Sequence, residues 1–204
     1  RALVDHALDR AAEGGARRAV VNVHHFAGQV RAHLAARSAP PEVAVSDESA
    51  LLLDTGGGVK AALPLLGGAP FYAVNSDALW TGPAPLPALA AAWDAARMDA
   101  LLLVVRREAA RAYTRPGDFL LGADGRPARR GPAETAPYVY TGAQILAPEA
   151  FAATPERSFS TNLVWDRLLA AGRLFAVVHE GGWVDVGTPA GLAEAEAALA
   201  ETAS

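Results

Sequence analysis

Segments with helical spacing alternate with apolar, strand-like segments along most of this chain. Residues Leu3–Glu13 carry apolar side chains at helical spacing and end at Gly14-Gly15, after which Arg18–Val23 has the character of a strand. Residues 100–105 form an uninterrupted apolar run, typical of a strand buried on both faces of a parallel sheet. Further helices are expected at residues 26–37, 59–66, 86–97, 162–171 and from 189, and further strands at 43–46, 71–75, 138–146 and 174–178. This alternation predicts an α/β fold with a Rossmann-like, mixed and mainly parallel sheet flanked by helices.

The composition predicts a single domain over residues 1–204. A chain of 204 residues with 51% hydrophobic content can bury a core of its own. The formal charge of -4 gives no broad basic surface, so a nucleic-acid partner is not expected, whereas a free nucleotide is compatible with it. Cysteine is absent, which excludes disulfides and thiolate metal sites, and no apolar run reaches membrane-spanning length. A cytoplasmic location is therefore the default expectation.

Residues 106–137 break the alternation of helix and strand. Proline and glycine recur among short apolar pieces there, at Pro116, Gly117, Gly122, Gly125, Pro127, Gly131, Pro132 and Pro137. Such punctuation favours hairpins or a lid over helices, so we expect this region to cover a site.

A glycine-rich stretch precedes the helix predicted at residues 59–66. It consists of Asp54, Thr55, Gly56, Gly57 and Gly58. Glycines let main-chain N–H groups approach a ligand, and the following helix N-terminus adds a partial positive charge. Such a turn can hold a phosphate or the edge of a base. Its spacing matches neither the dinucleotide fingerprint nor the P-loop, and a plain flexible turn is the alternative.

Two acidic side chains stand close to the ends of apolar strands. Asp77 follows the strand predicted at residues 71–75, at the edge where open α/β sheets bind ligands. Alone, it is better explained as the cap of the next turn. Asp185 lies in the apolar stretch 181–189, where an unpaired buried carboxylate would be costly. One Mg²⁺ shared by Asp77 and Asp185 would satisfy both carboxylates, since Mg²⁺ prefers oxygen ligands and needs few from protein.

Taken together, these segments resemble the sugar-1-phosphate nucleotidylyltransferase family over nearly the whole chain. Val74-Asn75-Ser76-Asp77 is similar to the family's strand ending in Asn-Gly-Asp, and residues 183–189 are similar to its Trp-x-Asp-Val-Gly-Thr-Pro signature. The resemblance implies that Asp77 and Asp185 are the catalytic residues and the Mg²⁺ ligands, and that residues 54–58 contact the nucleotide. More loosely, it implies that the sugar-phosphate pocket is lined by Asn75, Gly117, Asp118, Thr141 and Gly142.

Three short stretches resemble one branch of that family, the N-acetylmuramate-1-phosphate uridylyltransferases. They are Asn22-Val-His-His25, Ser46-Asp-Glu48 and Gly117-Asp-Phe119. The resemblance implies transfer of a nucleoside monophosphate from UTP to N-acetylmuramate 1-phosphate, with release of pyrophosphate, in the recycling of peptidoglycan sugars. The mannose-1-phosphate guanylyltransferases are the nearest alternative within the family.

Family members begin with a strand and a loop containing Gly-x-Gly-Thr-Arg-Met, followed by the lysine of a Lys-Pro pair. The residues from Arg1 onward resemble the part of the family sequence just after that unit. We therefore expect a βα unit of roughly 30 residues to be missing. Its arginine and lysine would stabilise the leaving pyrophosphate, so we expect this chain alone to be impaired in turnover.

Two other functions stay open at this point. A non-catalytic nucleotide-sugar-binding or regulatory domain would lack the reactive loop by design. A glycosyltransferase of similar α/β build is less well supported, because its metal site usually takes two acids from one Asp-x-Asp run, and Ser76-Asp77-Ala78-Leu79 is not such a run.

Overall fold

The computed structural model describes residues 1–202, which form six α-helices and eleven β-strands. The helices are α1 (Leu3–Glu13), α2 (Ala27–Ala35), α3 (Asp54–Leu66), α4 (Pro85–Ala92), α5 (Asn162–Ala170) and α6 (Pro189–Thr202). The strands are β1 (Arg18–Val23), β2 (Glu42–Asp47), β3 (Phe71–Val74), β4 (Ala78–Trp80), β5 (Ala100–Arg106), β6 (Ala110–Arg111), β7 (Phe119–Leu121), β8 (Pro127–Arg129), β9 (Tyr138–Leu146), β10 (Leu174–Val178) and β11 (Trp183–Asp185). No helix among these residues is long and apolar enough to cross a membrane.

The largest sheet is built around β5 and β9. Its strand order is β10-β5-β9-β7-β8, and β3 also pairs with β9. β5 runs parallel to β10, whereas β9 runs antiparallel to β3, β5 and β7. The sheet is therefore mixed, and the predicted α/β fold class is confirmed. The expected parallel majority is not found in this sheet, because four of its five strand pairings are antiparallel.

The hydrophobic core lies on both faces of β5. Its side chains alternate between two clusters, with Leu101 and Leu103 in one and Leu102 and Val104 in the other, all of them at most 1% exposed. This alternation follows from the two-residue period of a strand. Helix α4 covers the first face and α5 covers the second, which explains why residues 100–105 are apolar without interruption.

A second, two-stranded sheet consists of β1 and β2, which pair in parallel. The edge of β1 away from β2 and the edge of β3 away from β9 pair with no strand among residues 1–202. A cavity of about 530 Å³ lies between α1, β1, α3 and β3. The Tyr72 hydroxyl near the start of β3 donates to the Gly14 carbonyl just before β1, at 3.2 Å, so the two strands begin on the same side of this cavity.

A third sheet contains β4, β11 and β6 in that order. β4 and β11 pair antiparallel, with Asp185 opposite Ala78. The start of α6 then fixes the chain after β11, because Thr188 Oγ1 accepts the Gly191 amide at 3.0 Å. Thr188 is therefore the N-cap expected from a threonine before Pro189.

Two predicted helix boundaries differ from the structure by five residues each, and the others by two or fewer. α3 begins at Asp54, so the glycine-rich stretch is its first turn and not a turn before it. α4 ends at Ala92 and not near residue 97. Trp93 is extended, with ψ 129°, and the Asp94 carboxylate accepts the Ala96 amide at 3.0 Å. This side-chain hydrogen bond offers the backbone a turn in place of another helical turn.

Candidate active site

The pairing of β4 with β11 brings the two predicted metal ligands together. Asp77 immediately precedes β4, and Asp185 is the last residue of β11. The Val186 amide donates to the Asp77 carbonyl at 2.9 Å, which extends the ladder by one bond. Two acids that are 108 positions apart by number are thus neighbours because their strands pair in this register.

Gly187 shows that the two carboxylates face the same space. A Cβ added to Gly187 would lie 3.2 Å from Asp185 Oδ1 and 3.8 Å from Asp77 Oδ2. Both oxygens therefore lie within 4 Å of one point. A side chain at position 187 would occupy the volume between them, and glycine leaves that volume open.

The carboxylates have few partners in the protein. Asp185 Oδ1 accepts the Gly187 amide at 3.2 Å, and Asp185 Oδ2 accepts from Arg115 Nη2 at 3.2 Å. Within residues 1–202, the Asp77 carboxylate accepts no hydrogen bond. The Asp185 side chain is 23% exposed, so it is less buried than its apolar flanks suggest. The reason is that β11 ends there and the chain turns into the exposed residues Gly187 and Thr188.

This donor set fits Mg²⁺. Both protein groups are carboxylates, and Mg²⁺ is commonly bound through one or two carboxylates with phosphate and water completing its shell. The described residues contain no cluster of three or more His, Cys, Asp or Glu side chains suited to a metal ion. A site dependent on a full set of protein ligands, such as a structural zinc site, is therefore not supported at Asp77 and Asp185.

The first turn of α3 is closely packed. The amides of Gly56 and Gly57 both donate to the Phe159 carbonyl, at 2.9 and 3.0 Å. A Cβ on Gly56 would lie 2.5 Å from the Phe159 ring, and one on Gly58 would lie 2.7 Å from Glu48 Oε1. These glycines are therefore required by packing, and two of the N–H groups expected to face a ligand already have a protein partner.

A buried polar group supports this turn from the other side. Glu48 is 6% exposed, and its carboxylate accepts from Asn22 Nδ2 at 2.6 Å and from the Leu53 amide at 3.2 Å. Asn22 also donates to the Gly58 carbonyl at 2.9 Å. The end of β1, the loop after β2 and the start of α3 are thus held in one network.

The cavity between β1 and β3 joins this region to the end of β3. Most of its polar lining residues lie toward the ends of the strands, and Arg18 and Tyr72 line it near the strand starts. The polar group toward the strand ends contains Asn22, Glu48, Asp54, Thr55, Gly58, Asn75, Ser76, Gln144 and Thr161. Residues predicted to contact nucleotide therefore share one cavity with Asn75, predicted to contact the sugar phosphate. This location, at the carboxyl ends of strands, is where open α/β sheets bind ligands.

Comparison with known proteins identifies the family. No protein-family model matches the chain. It is 44% identical over 206 aligned residues, covering 98% of this chain and 85% of the other, to the N-acetylmuramate alpha-1-phosphate uridylyltransferase of Caulobacter vibrioides. The chain belongs to the sugar-1-phosphate nucleotidylyltransferase family. The resemblance stated from its motifs is confirmed.

Two further comparisons agree with this assignment. The protein of the same name from Neisseria meningitidis serogroup B is 33% identical over 158 residues, covering 76% of this chain and 66% of that protein. The crystal structure of UDP-glucose pyrophosphorylase complexed with UDP-glucose superimposes with a TM-score of 0.77 at 14% identity, covering 98% of this chain and 87% of that one. At that identity the second likeness shows the fold of this nucleotidylyltransferase, and nothing finer.

The predicted sugar-phosphate residues of the nucleotidylyltransferase occupy two places. The main-chain amide of Asn75 donates to the Gly142 carbonyl at 2.7 Å, and a Cβ on Gly142 would lie 2.9 Å from Asn75 Cβ. Gly142, with φ +84°, therefore lies directly against Asn75. Thr141 is fully buried, and its side chain donates to the Leu103 carbonyl at 3.0 Å, so no part of this residue can meet a ligand without rearrangement.

Gly117 and Asp118 lie beside the start of β9. Gly117 has φ +90°, and a Cβ there would lie 2.1 Å from the Ala136 carbonyl oxygen, so glycine is required. The Asp118 carboxylate accepts the Tyr140 amide at 2.9 Å. This hydrogen bond gives Asp118 a structural role next to residues 141–142.

The irregular region 106–137 contains an antiparallel hairpin of β7 and β8. Arg129 on β8 bonds to Asp166 and Asn162 of α5 and lies over the Trp165 ring at 5.5 Å. The hairpin is thus attached to α5, and Arg129 serves this attachment.

Sequence reasoning left Glu48 and Arg115 out of the site. Glu48 stands in Ser46-Asp-Glu48, which served only to indicate a branch of the family, and its burial is visible only once α3 is placed. Arg115 lies over the Tyr113 ring at 4.9 Å, on the way to Asp185. Burial, together with the Asp118 carboxylate, raises the pKa of Tyr113, so this phenol stays neutral beneath the guanidinium. No sequence signal marks Arg115.

Proposed function

We propose that this nucleotidylyltransferase transfers uridine monophosphate from UTP to N-acetylmuramate 1-phosphate, forming UDP-N-acetylmuramate and pyrophosphate. The observation that carries the proposal is the convergence of Asp77 and Asp185 around Gly187. The names of the two relatives, from C. vibrioides and N. meningitidis, support the choice of base and sugar.

The reaction needs positioning and charge neutralisation more than covalent chemistry. A phosphate oxygen of the sugar 1-phosphate attacks the α-phosphorus of UTP, a new P–O bond forms, and the bond from the α-phosphorus to the bridging oxygen breaks. Pyrophosphate carries the leaving electron pair away. No side chain forms a bond to phosphorus, so catalysis rests on bringing two anionic substrates together in line.

We assign Asp77 and Asp185 to the holding of Mg²⁺. When bound there, Mg²⁺ would neutralise the charge that develops on phosphate oxygens. The polar end of the cavity supports the assignment of residues 54–58 to the nucleotide, with Asp54, Thr55 and Gly58 exposed to it. The amides of Gly56 and Gly57 are bonded to Phe159 and make the turn rigid. We therefore assign contact with the base to Asp54, Thr55 and Gly58.

We assign the sugar 1-phosphate to the opposite wall. Asn75 lines the cavity and packs against Gly142, and Gly117 and Asp118 lie next along β9. Thr141 and Gly142 are buried, and the Gly142 carbonyl accepts the main-chain amide of Asn75, so we assign these two residues to the support of Asn75. The assignment therefore keeps all five residues, with Thr141 and Gly142 in a supporting position.

The cavity itself supports the expectation of a further strand. Its walls are the unpaired edges of β1 and β3, and its apolar part is lined by Val4, Leu8 and Ala11 of α1. We propose that an extended segment carrying the loop Gly-x-Gly-Thr-Arg occupies this apolar part in the working enzyme and leaves the polar end to the substrates. The reaction would take place in the cytoplasm, where nucleoside triphosphates are available, and would return a cell-wall sugar to use.

A pyrophosphate-release assay on the full-length protein tests this proposal. It should use a panel of triphosphates that includes UTP and GTP, with N-acetylmuramate, N-acetylglucosamine and mannose 1-phosphates. We expect the highest kcat/KM with UTP and N-acetylmuramate 1-phosphate, and roughly a 10³-fold loss in Asp77→Ala and Asp185→Ala, since a metal supplies several kcal/mol of charge stabilisation. Asp124→Ala, in the exposed turn between β7 and β8, is the control. Full activity in both site variants would refute the assignment, and a preference for GTP with mannose 1-phosphate would move the enzyme to another branch.

A further inference from the structure

Arg115 is the one cation that contacts either site aspartate among residues 1–202. Its Nη2 lies 3.2 Å from Asp185 Oδ2, and the ion pairs of this part of the chain contain no other partner for Asp77 or Asp185. The Arg115 side chain is 68% exposed, while that of Asp185 is 23% exposed. The guanidinium therefore reaches the carboxylate from the solvent side.

The backbone around Arg115 is held in place. The Arg115 carbonyl accepts from Arg107 Nε at 3.3 Å, and the Pro116 carbonyl accepts the Ala136 amide at 2.7 Å. Gly117 next to them is confined by its contact with Ala136. Movement at this position is thus restricted to the side chain, whose guanidinium lies over Tyr113.

The Asp185 carboxylate cannot bind two cations at full strength. A guanidinium on Oδ2 and a divalent ion between Asp185 and Asp77 would lie a few ångströms apart, where like charges repel. We propose that Arg115 and the divalent cation compete for Asp185, so that cation binding releases the Arg115 guanidinium to meet the anionic groups of the substrate. This inference rests on the proposed cation site, and makes Arg115 a positioning residue that couples cation binding to substrate binding.

The expected effect is modest because the pair is exposed. Exposed ion pairs are weakened by solvent and by the entropy of two long side chains, and their typical strength corresponds to a factor of about two to five in an equilibrium constant. Removing Arg115 should therefore tighten cation binding by about that factor. By reciprocity, the cation should weaken the Arg115 contact equally.

Binding of Mn²⁺ to the full-length protein, followed through the electron paramagnetic resonance of the free ion, provides the test. We expect Arg115→Ala to bind Mn²⁺ about two- to fivefold more tightly than the wild type. Arg167→Ala, which removes the same charge from an exposed position on α5, should leave the affinity unchanged. Equal or weaker binding by Arg115→Ala would overturn the inference.

Two more measurements separate this inference from the function on which it rests. If Asp185→Asn binds Mn²⁺ as the wild type does, the cation site itself is wrong. If Asp185→Asn loses binding and Arg115→Ala does not change it, only the competition is wrong. In addition, we expect Arg115→Ala to raise KM for the sugar 1-phosphate severalfold with little change in kcat, and an unchanged KM would contradict the release of Arg115 to substrate.

Discussion

Two pairs of carboxylates in this molecule are built in opposite ways. Asp5 and Asp9 on α1 surround the Arg37 guanidinium, with Nη1 3.0 Å from Asp5 and Nη2 2.6 Å from Asp9. The Arg37 side chain is only 8% exposed. Asp77 and Asp185 instead face an open volume above Gly187, and their one cationic contact within residues 1–202 is the exposed Arg115.

The difference separates a structural acid from an available one. In the first pair both carboxylates already have protein partners, because Arg37 bonds to each of them, His33 bonds to Asp5 and Arg1 bonds to Asp9. In the second pair the chain leaves a glycine where any side chain would enter the gap, and so keeps the charge for a ligand. What marks the site is the lack, within the described residues, of a permanent, buried protein cation beside its carboxylates, more than the presence of acids.

The glycine-rich first turn of α3 resembles the Asp5 and Asp9 pair, because its polar groups already have protein partners. Gly56→Ala tests this packing and has the largest expected effect of the changes considered. The new Cβ would lie 2.5 Å from the Phe159 ring and 2.9 Å from its carbonyl oxygen. We expect a loss of about 3 kcal/mol in the free energy of unfolding, measured in urea. Gly28→Ala on α2 is the control, since nothing lies within 4 Å of its Cβ position. It should be neutral or stabilising by about 0.5–1 kcal/mol. Equal stability of Gly56→Ala and the wild type would show that the turn is not packed as described.

Arg37→Met tests the structural pair, Asp5 and Asp9. Removal of the guanidinium leaves Asp5 with His33 as its remaining partner. We expect a loss of about 2 kcal/mol in the free energy of unfolding, moderated because Asp9 is partly exposed. Mn²⁺ affinity should not change, because the cluster is separate from Asp77 and Asp185. An unchanged free energy of unfolding would show that Arg37 does not stabilise the fold.

Gly187→Ala tests the other pair, Asp77 and Asp185. The methyl group would lie 3.2 Å from Asp185 Oδ1 and 3.8 Å from Asp77 Oδ2. We expect Mn²⁺ affinity to fall about tenfold, which corresponds to about 1.4 kcal/mol. The free energy of unfolding should change by less than about 0.5 kcal/mol, because the position is exposed. Unchanged affinity with unchanged stability would show that the ion lies elsewhere.

The pH dependence of stability gives the smallest effect. Burial acts to raise the pKa of Asp5, but hydrogen bonds and charge from His33 and Arg37 outweigh it and lower the pKa below its ordinary value of 3.8. Stabilisation from Asp5 is then complete well above pH 3.8 and is lost as the pH falls through the lowered pKa. Asp5→Asn should therefore be less stable than the wild type by about 1 kcal/mol at about pH 7, with the difference shrinking below about pH 4. A difference that stays constant down to about pH 3 would contradict this linkage.

The sequence predicted the fold class and the two acids, for different reasons. The spacing of apolar residues identifies α1, and the uninterrupted apolar run identifies β5, because these patterns follow directly from helix geometry and from burial on both faces of a strand. Asp77 and Asp185 could be found because each lies near the end of an apolar strand and within a stretch that resembles a family motif. Their proximity could not, since it depends on the antiparallel register of β4 and β11, and β4 is only three residues long.

Other features depend on contacts that no local pattern contains. The helical start of α3 at Asp54 depends on Phe159, which accepts the glycine amides from a part of the chain about a hundred residues away. The early end of α4 depends on the Asp94 turn, which competes with a strong run of alanines. The Arg115 contact depends on the path of residues 112–117 alone.

The position of a bound divalent cation decides whether Asp77 and Asp185 form one site. Crystals of the full-length protein grown with Mn²⁺ and a nucleotide should show its anomalous scattering signal as one strong peak. We predict this peak between the carboxylates of Asp77 and Asp185, within about 2.5 Å of an oxygen from each, the range of direct carboxylate coordination. A peak bound by only one of these residues, or located elsewhere in the cavity, would contradict the shared cation site.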